Sequence, residues 1–366
     1  MRVVFRCDAS IQIGTGHVIR CLTLADALTK KGAECHFICR EHEGHLVEVV
    51  EQRGHQAYSL PFEGDVENSS KGDIELLHAN WLGATQQEDA QQCIDIIKTI
   101  QPDWLIVDHY AIDISWEKIL RSYCKKLMVI DDLADRRHDC DILLDQNYGR
   151  HEKDYKDLVS YNCLLLCGPK YSLLRPEFLE WREYSLKRRS HGKLNHVLIN
   201  LGGVDKDNVT TQIIKSLKYC SLPDSCRITV VMGSTAPWIN LVRKEALNLP
   251  WITEVKSGIY NMAELMANSD LAIGAAGSTS WERCCLGVPS ILLCIAENQK
   301  SVINSLEKNG IIVSLSLQDI NSNYSDGLDS KINLITYKLM DFVKLSAQVT
   351  DGRGCNLVID KIRRFA

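Results

Sequence analysis

The sequence predicts an α/β protein of two Rossmann-like, doubly wound domains facing each other across a cleft. Three observations lead there. The chain has 366 residues, too long for one average domain and comfortable for two. Short apolar runs alternate with amphipathic helical patterns, the rhythm of a mostly parallel sheet with helices on both faces. That rhythm breaks once, over residues 176–195, and then restarts.

In the first half, residues 3–7, 34–39, 104–108 and 127–131 read as strands, short and rich in β-branched or aromatic side chains. Val18, Leu22, Ala25 and Leu28 share one face of a helix that ends at Lys30-Lys31-Gly32, cations followed by a capping glycine. Thr85-Gln86-Gln87-Glu88 is a capping-box start for a helix reaching about Thr99. The basic run Lys187-Arg188-Arg189-Ser190-His191-Gly192-Lys193 marks 176–195 as a solvated interdomain linker, too short a run to argue for nucleic-acid binding. The second half shows strands at 196–201, 228–232, 271–275 and 291–295, with helices at 208–217, 280–286 and 299–308. From residue 331 onward strand character is lacking. The expected division is therefore an N-terminal domain at 1–180, a second domain at 190–330, and a helical segment at 331–366 able to cross back to the first.

Apolar residues make up 45% and charged residues 24%, the balance of ordinary globular cores. The net charge of −5 gives no general field for nucleic acid, so an anionic ligand must be held by local backbone donors or helix ends. No apolar run approaches the roughly 20 residues needed to cross a bilayer. The start, Met1-Arg2-Val3-Val4-Phe5-Arg6-Cys7-Asp8, meets charge too early for a signal-peptide core. The expected compartment is the cytoplasm, with the fifteen scattered cysteines as buried free thiols. Cys35/Cys39 and Cys163/Cys167 lack a His partner in a zinc arrangement. Neither metal nor cofactor is expected, and stable membrane insertion is not.

In open parallel sheets, ligands bind where strands end and turn into helices. Three such junctions are built from glycine and small hydroxyl residues. The first is Gly14-Thr15-Gly16-His17, between a strand and the helix carrying Val18. Its glycines let backbone approach a ligand, and a His held there can take a proton from water or a hydroxyl; the alternative is a capping His. Arg20, one turn on, either neutralises a phosphate or is solvated. The second junction is Gly202-Gly203, a ligand loop or a simple turn. The third runs Gly274-Ala275-Ala276-Gly277-Ser278-Thr279-Ser280-Trp281-Glu282. Small residues there leave room for a diphosphate. Ser278 and Thr279 can donate to phosphate or merely cap the helix, and Glu282 can accept both ribose hydroxyls or only favour the helix dipole. Asp108-His109-Tyr110 and Asp131-Asp132 end first-domain strands and read as substrate contacts or structural hydrogen bonds. A phosphate-binding G-x-x-x-x-G-K-[ST] loop and a G-x-S-x-G elbow are absent from the sequence, as is the third glycine of a dinucleotide fingerprint.

Taken together, several segments resemble a known family. They are Phe5-Arg6-Cys7-Asp8-Ala9-Ser10 with Ile13-Gly14-Thr15-Gly16-His17-Val18 and Arg20-Cys21, Trp81-Leu82-Gly83, Asp108-His109-Tyr110, Val129-Ile130-Asp131-Asp132-Leu133-Ala134-Asp135-Arg136, Leu144-Asp145-Gln146-Asn147-Tyr148, and Gly168-Pro169-Lys170-Tyr171-Ser172-Leu173-Leu174-Arg175-Pro176. With the Gly277 to Pro289 segment, they resemble the UDP-sugar hydrolases of pseudaminic acid biosynthesis, which act on a UDP-linked 2,4-diacetamido-2,4,6-trideoxyhexose. That family is similar to the two-domain B-type (GT-B) glycosyltransferases. The resemblance implies His17 as general base for water attacking the anomeric carbon without metal. It implies Gly277, Ser278 and Thr279 at the diphosphate, Glu282 on ribose, and Asn298 and Gln299 on phosphate or sugar. Gly14, Thr15, Gly16, Arg20, Asp108, Tyr110, Gly202 and Gly203 complete the expected substrate contacts. Loops such as 63–82 are expected to read the sugar's stereochemistry. The runner-up is a UDP-sugar glycosyltransferase using the same residues with a sugar or lipid acceptor; a silent nucleotide-sugar binder is a third reading, which would have no need of a base at His17.

Overall fold

The computed structural model describes residues 1–62, 76–234, 236–321 and 326–365. Of the 63–82 loop, residues 63–75 lie outside the described residues. The chain divides into two compact units, Met1–Leu173 with Gly354–Ala366, and Leu174–Arg353.

The first unit carries a parallel sheet of β1 (Arg2–Cys7), β2 (Glu34–Arg40), β3 (Gln56–Leu60), β4 (Trp104–Asp108), β5 (Lys126–Ile130), β6 (Ile142–Asp145) and β7 (Leu164–Cys167). Their order is β3-β2-β1-β4-β5-β6-β7. Helices α1 (Gly16–Thr29), α2 (Val47–Gln52), α3 (Gln86–Ile100) and α4 (Ile114–Leu120) connect them. Both faces are buried, as a two-residue side-chain period requires when helices cover each side. Val3, Phe5 and Cys7 pack with Val18, Leu22, Ala25 and Leu28 of α1 and with Val358 and Ile362 of the last helix, Gly354–Phe365. Val4 faces the other way, in one cluster with Ile94 and Ile97 of α3 and Trp116 of α4. The capping box forms at Thr85, whose hydroxyl accepts from the Glu88 N–H while the Glu88 carboxylate accepts from the Thr85 N–H.

The second unit begins where a solvated linker was expected. Residues Pro176–Arg189 are instead a helix, α5, and its arginines are structural: Arg189 is 2% exposed and donates to the carbonyls of Met266, Ser269 and Leu286. The parallel sheet contains β8 (His196–Asn200), β9 (Arg227–Met232), β10 (Ile252–Ser257), β11 (Leu271–Ala275), β12 (Ser290–Leu293) and β13 (Val313–Leu315), in the order β10-β9-β8-β11-β12-β13. Helices α6 (Val209–Leu217), α7 (Ile239–Ala246), α8 (Met262–Ala267), α9 (Thr279–Cys285), α10 (Lys300–Lys308), α11 (Leu317–Asn321), α12 (Asp326–Tyr337) and α13 (Leu339–Val349) follow the strands, and the last helix, α14, returns to the first unit. Val197 and Ile199 of β8 share a core with Ile213 of α6 and Ile332 of α12. No helix among the described residues is long and apolar enough to cross a membrane.

Candidate active site

Strand order reverses at the same place in both sheets, between β1 and β4 in the first and between β8 and β11 in the second. Reversal leaves neighbouring crossovers running to opposite faces, which opens a crevice at the carboxyl ends of those strands. The register Cys7↔Asp108 and Gly274↔Asn200 sets the two strand ends level in each sheet. The three glycine junctions all lie at these reversal points.

In the first unit, Gly14 adopts φ +82°, a left-handed conformation that glycine enters without strain. Its N–H donates to Ser10 O at 2.8 Å. α1 then starts at Gly16, and Thr15 at its cap makes no side-chain hydrogen bond, so the first N–H groups have no capping acceptor. A Cβ at Gly16 would meet nothing within 4 Å. His17, in the first turn, points back onto the end of β4. Its Nδ1 lies 2.6 Å from Asp108 Oδ1, and Asp108 is fully buried.

Burial alone would raise the Asp108 carboxyl, but the Arg20 guanidinium and His17 outweigh it and hold it well below the usual carboxylate range. The carboxylate is therefore ionised and can only accept. The proton in the contact then sits on His17 Nδ1, and in the neutral ring the lone pair is on Nε2. Among the described residues Nε2 has no hydrogen-bond partner, and it is not sealed from solvent.

Arg20 was expected either at a phosphate or solvated; the structure places it behind the His. Its Nε and Nη2 each donate to Asp108 at 2.6 Å, its Nη1 donates to Asp132 Oδ2 at 2.6 Å, and it is 6% exposed. Asp108 likewise has both oxygens engaged and stands behind the His rather than against a ligand. Tyr110 donates to Asp132 Oδ2 at 2.7 Å and sets its ring edge-on to His17, centroids 4.6 Å apart. His78 and Trp81 extend this aromatic wall, with Trp81 stacked 5.8 Å from Tyr110. Asp132, read from the sequence as a substrate contact or a structural hydrogen bond, accepts from Arg20 and Tyr110; His78 and Trp81 were not singled out within the 63–82 loop, and the Trp81-Leu82-Gly83 motif was the signal for Trp81. Asp131 is structural, accepting from Arg136 Nη1, Tyr155 and the Ala134 N–H. His109 is buried 3.2 Å from Asp8, and burial pushes it down.

In the second unit, Gly202 takes φ +95°, and the Gly203 carbonyl accepts from the Gly233 N–H at 3.0 Å. A Cβ on Gly233 would lie 2.0 Å from that carbonyl, so two loops close on each other there through bare backbone. Gly277 and Ser278 are exposed, and nothing lies within 4 Å of where a Gly277 Cβ would stand. Ser278 precedes α9 without a side-chain capping bond, which leaves its hydroxyl for another partner. Glu282 is mostly buried, its nearest cation Arg175 at 3.7 Å. Burial raises its carboxyl, and Arg175 reverses that only in part. Gln299 Oε1 accepts from the Ile295 N–H at 3.1 Å, just past the end of β12, with Asn298 beside it in the short 3₁₀ turn Glu297–Gln299. Among the described residues, no group of three or more His, Cys, Asp and Glu side chains could hold a metal ion.

No protein-family model matches the chain. Individual relatives do. The chain is 30% identical over 311 residues to the UDP-2,4-diacetamido-2,4,6-trideoxy-β-L-altropyranose hydrolase of Campylobacter jejuni, covering 85% of this chain and 97% of that one. It is 28% identical over 305 residues to an uncharacterised protein of Methanocaldococcus jannaschii, covering 82% and 57% respectively. In fold it matches the crystal structure of MurG from Acinetobacter baumannii, with TM-score 0.68, 14% identity and 99% of each chain covered. The architecture is thus that of the GT-B glycosyltransferases.

Proposed function

Because this chain belongs to the family of the UDP-2,4-diacetamido-2,4,6-trideoxy-β-L-altropyranose hydrolase, we propose that it hydrolyses a UDP-linked 2,4-diacetamido-2,4,6-trideoxyhexose to free sugar and UDP, a step toward a nonulosonic acid of the pseudaminic type. The observation that carries the reading is the His17–Asp108 contact, a lone-pair Nε2 backed by an ionised carboxylate.

Water attacks the anomeric carbon. Its oxygen bonds to that carbon as the bond to the β-phosphate oxygen breaks, the bonding pair leaves with UDP, and the configuration inverts. The proton released from water passes to His17 Nε2. Asp108 stabilises the imidazolium that forms, and Arg20 and Asp132 fix Asp108. A positioned base of this kind contributes about 10²–10⁴-fold. UDP is already a good leaving group, so donors at the pyrophosphate suffice for the other side of the reaction. Gly277, Ser278 and Thr279 supply those donors, with the backbone of Gly202 and Gly203. Glu282 accepts from the ribose hydroxyls, and Asn298 and Gln299 reach phosphate or sugar. Backbone at Gly14, Thr15 and Gly16 and the ring of Tyr110 border the sugar. The chemistry needs no metal. The free state of all fifteen cysteines fits a reducing, cytoplasmic setting.

The test is incubation with the UDP-sugar alone, chelator present, followed by phosphorus and proton NMR. Release of UDP and free sugar without any acceptor is expected. The likeness to a glycosyltransferase fold makes transfer to a sugar or lipid acceptor the second reading; release only on adding an acceptor would establish that one instead.

A further inference from the structure

Buried arginines in this protein fall into distinct kinds. Arg6, Arg20, Arg40 and Arg136 each sit on a carboxylate, at 2.6–2.8 Å. Arg189 has none, but backbone carbonyls of residues 185, 266, 269 and 286 surround its guanidinium. Arg283 fits neither pattern. It is 1% exposed, and among the described residues no carboxylate lies within 4.0 Å of it. Its Nη2 donates to Ala275 O at 2.6 Å and to Ser280 Oγ at 3.2 Å. Its Nε is buried without any partner. An ion removed from water is costly unless an opposite charge or a full set of acceptors replaces the solvent, and here both are incomplete.

The place of this guanidinium is specific. It lies against the end of β11, where a Cβ on Gly274 would stand 2.4 Å from Arg283 Nη1 and 2.4 Å from Asn200 O. Glycine at 274 is thus the residue that admits the arginine beneath the loop running through Ala275, Ala276, Gly277 and Ser278. Burial lowers Arg283 to about 10, so it remains a cation at neutral pH.

We propose that Arg283 is the built-in counter-charge for the diphosphate of the bound nucleotide, held beneath the 274–278 loop as a fixed positive charge. It rests on reading that loop as the diphosphate site, and goes beyond it by assigning the field there to one side chain. The bound anion completes the compensation that the protein leaves unfinished. Because the surroundings are of low dielectric and the cation cannot be screened by water, its attraction grows with the charge of the ligand. Arg283 is a positioning and specificity residue in this role: it favours a diphosphate over a monophosphate and over the bare nucleoside, and it stabilises the departing UDP.

The test compares uridine, UMP and UDP by titration calorimetry on the full-length protein and on Arg283→Met, which keeps the length and apolar stem. Expected is a loss of roughly tenfold or more in UDP affinity, a smaller loss for UMP, and uridine binding within about twofold of the wild type. Equal losses for all three ligands would mark Arg283 as merely structural, and unchanged UDP affinity would remove it from the site; either overturns the proposal. If Arg283→Met does not fold, Arg283→Lys and Arg283→Gln are compared in the same way. Lysine should keep the preference for UDP over uridine and glutamine should lose it; the same preference in both contradicts the proposal. Failure of the wild type to bind UDP at all would instead overturn the nucleotide reading of the loop, a result the variants cannot mimic.

Discussion

The two reversal points treat charge in opposite ways. At the end of β4, the Asp108 carboxylate meets two nitrogens of Arg20 and the ring of His17, and the Arg20 guanidinium foremost holds it ionised. Around β11 and α9, charges are left short of partners: Glu282 has a single cation within 4.0 Å, at 3.7 Å, and among the described residues Arg283 has no carboxylate within 4.0 Å, only the neighbouring Glu282 at longer range. A site that moves a proton needs its base held in one tautomer and one orientation, so it is saturated with hydrogen bonds. A site that binds and releases an ionic ligand does better with groups whose pairing the ligand itself completes. The contrast teaches how to tell machinery from receptor within one fold.

The largest expected effect lies in the saturated region. His17→Asn should lower kcat by about 10²–10⁴-fold while UDP affinity, measured by calorimetry, stays within about twofold; a normal turnover rate would remove His17 as base. Asp108→Asn comes next. It should lower kcat by about 10²-fold with little change in KM, since an amide no longer stabilises the imidazolium. It should also cost about 3 kcal/mol in urea unfolding, because Arg20 loses part of a buried pair. The sign follows from the shift: the folded-state carboxyl lies below its unfolded value near 3.9, so its stabilisation is present above that pH and disappears as pH falls through the folded value. The wild type should therefore hold this contribution at pH 5, and the difference from the variant should shrink only in stronger acid.

Changes in the unsaturated region should touch binding and spare the fold. Gly277→Ala adds a methyl that meets no protein atom, so the melting temperature should not move, while UDP affinity should fall by roughly tenfold as backbone is held off the phosphates. Glu282→Gln has the smallest and most telling signature. The folded-state carboxyl is raised, so the native state favours its protonated form, and stability falls as pH climbs from the unfolded value near 4.3 through the folded one. Glutamine should thus raise the melting temperature at pH 7 by on the order of 1 °C while weakening UDP binding. A fall in melting temperature would place Glu282 among the saturated groups and erase the contrast.

Local patterns carried much of this into the sequence. The loop at Gly14–His17, the capping box at Thr85 and the small-residue junction before Glu282 each depend on neighbours a few positions apart, so periodicity and spacing reveal them. What stayed hidden depends on distance along the chain. Asp108 and Arg20 are separated by 88 positions, and nothing in either segment says that one neutralises the other. Composition misled at α5, where a run of arginines reads as solvated although Arg189 is spent on carbonyls left at the end of α8. The strands β3, β6, β7, β10 and β13 were missed: β3, β7, β10 and β13 lie at sheet edges, β10 is nowhere fully buried, β13 has only three residues, and β6, though fully buried, has only four. Burial on one side alone leaves a weak signal.

The central claim is that His17 activates water against the anomeric carbon, and isotope placement tests it most directly. Hydrolysis of the UDP-sugar in water enriched in oxygen-18 should put the label in the free sugar and none in UDP, read by mass spectrometry of both products. Label in the β-phosphate of UDP would mean attack at phosphorus, and would contradict the assignment of His17 as base at the sugar.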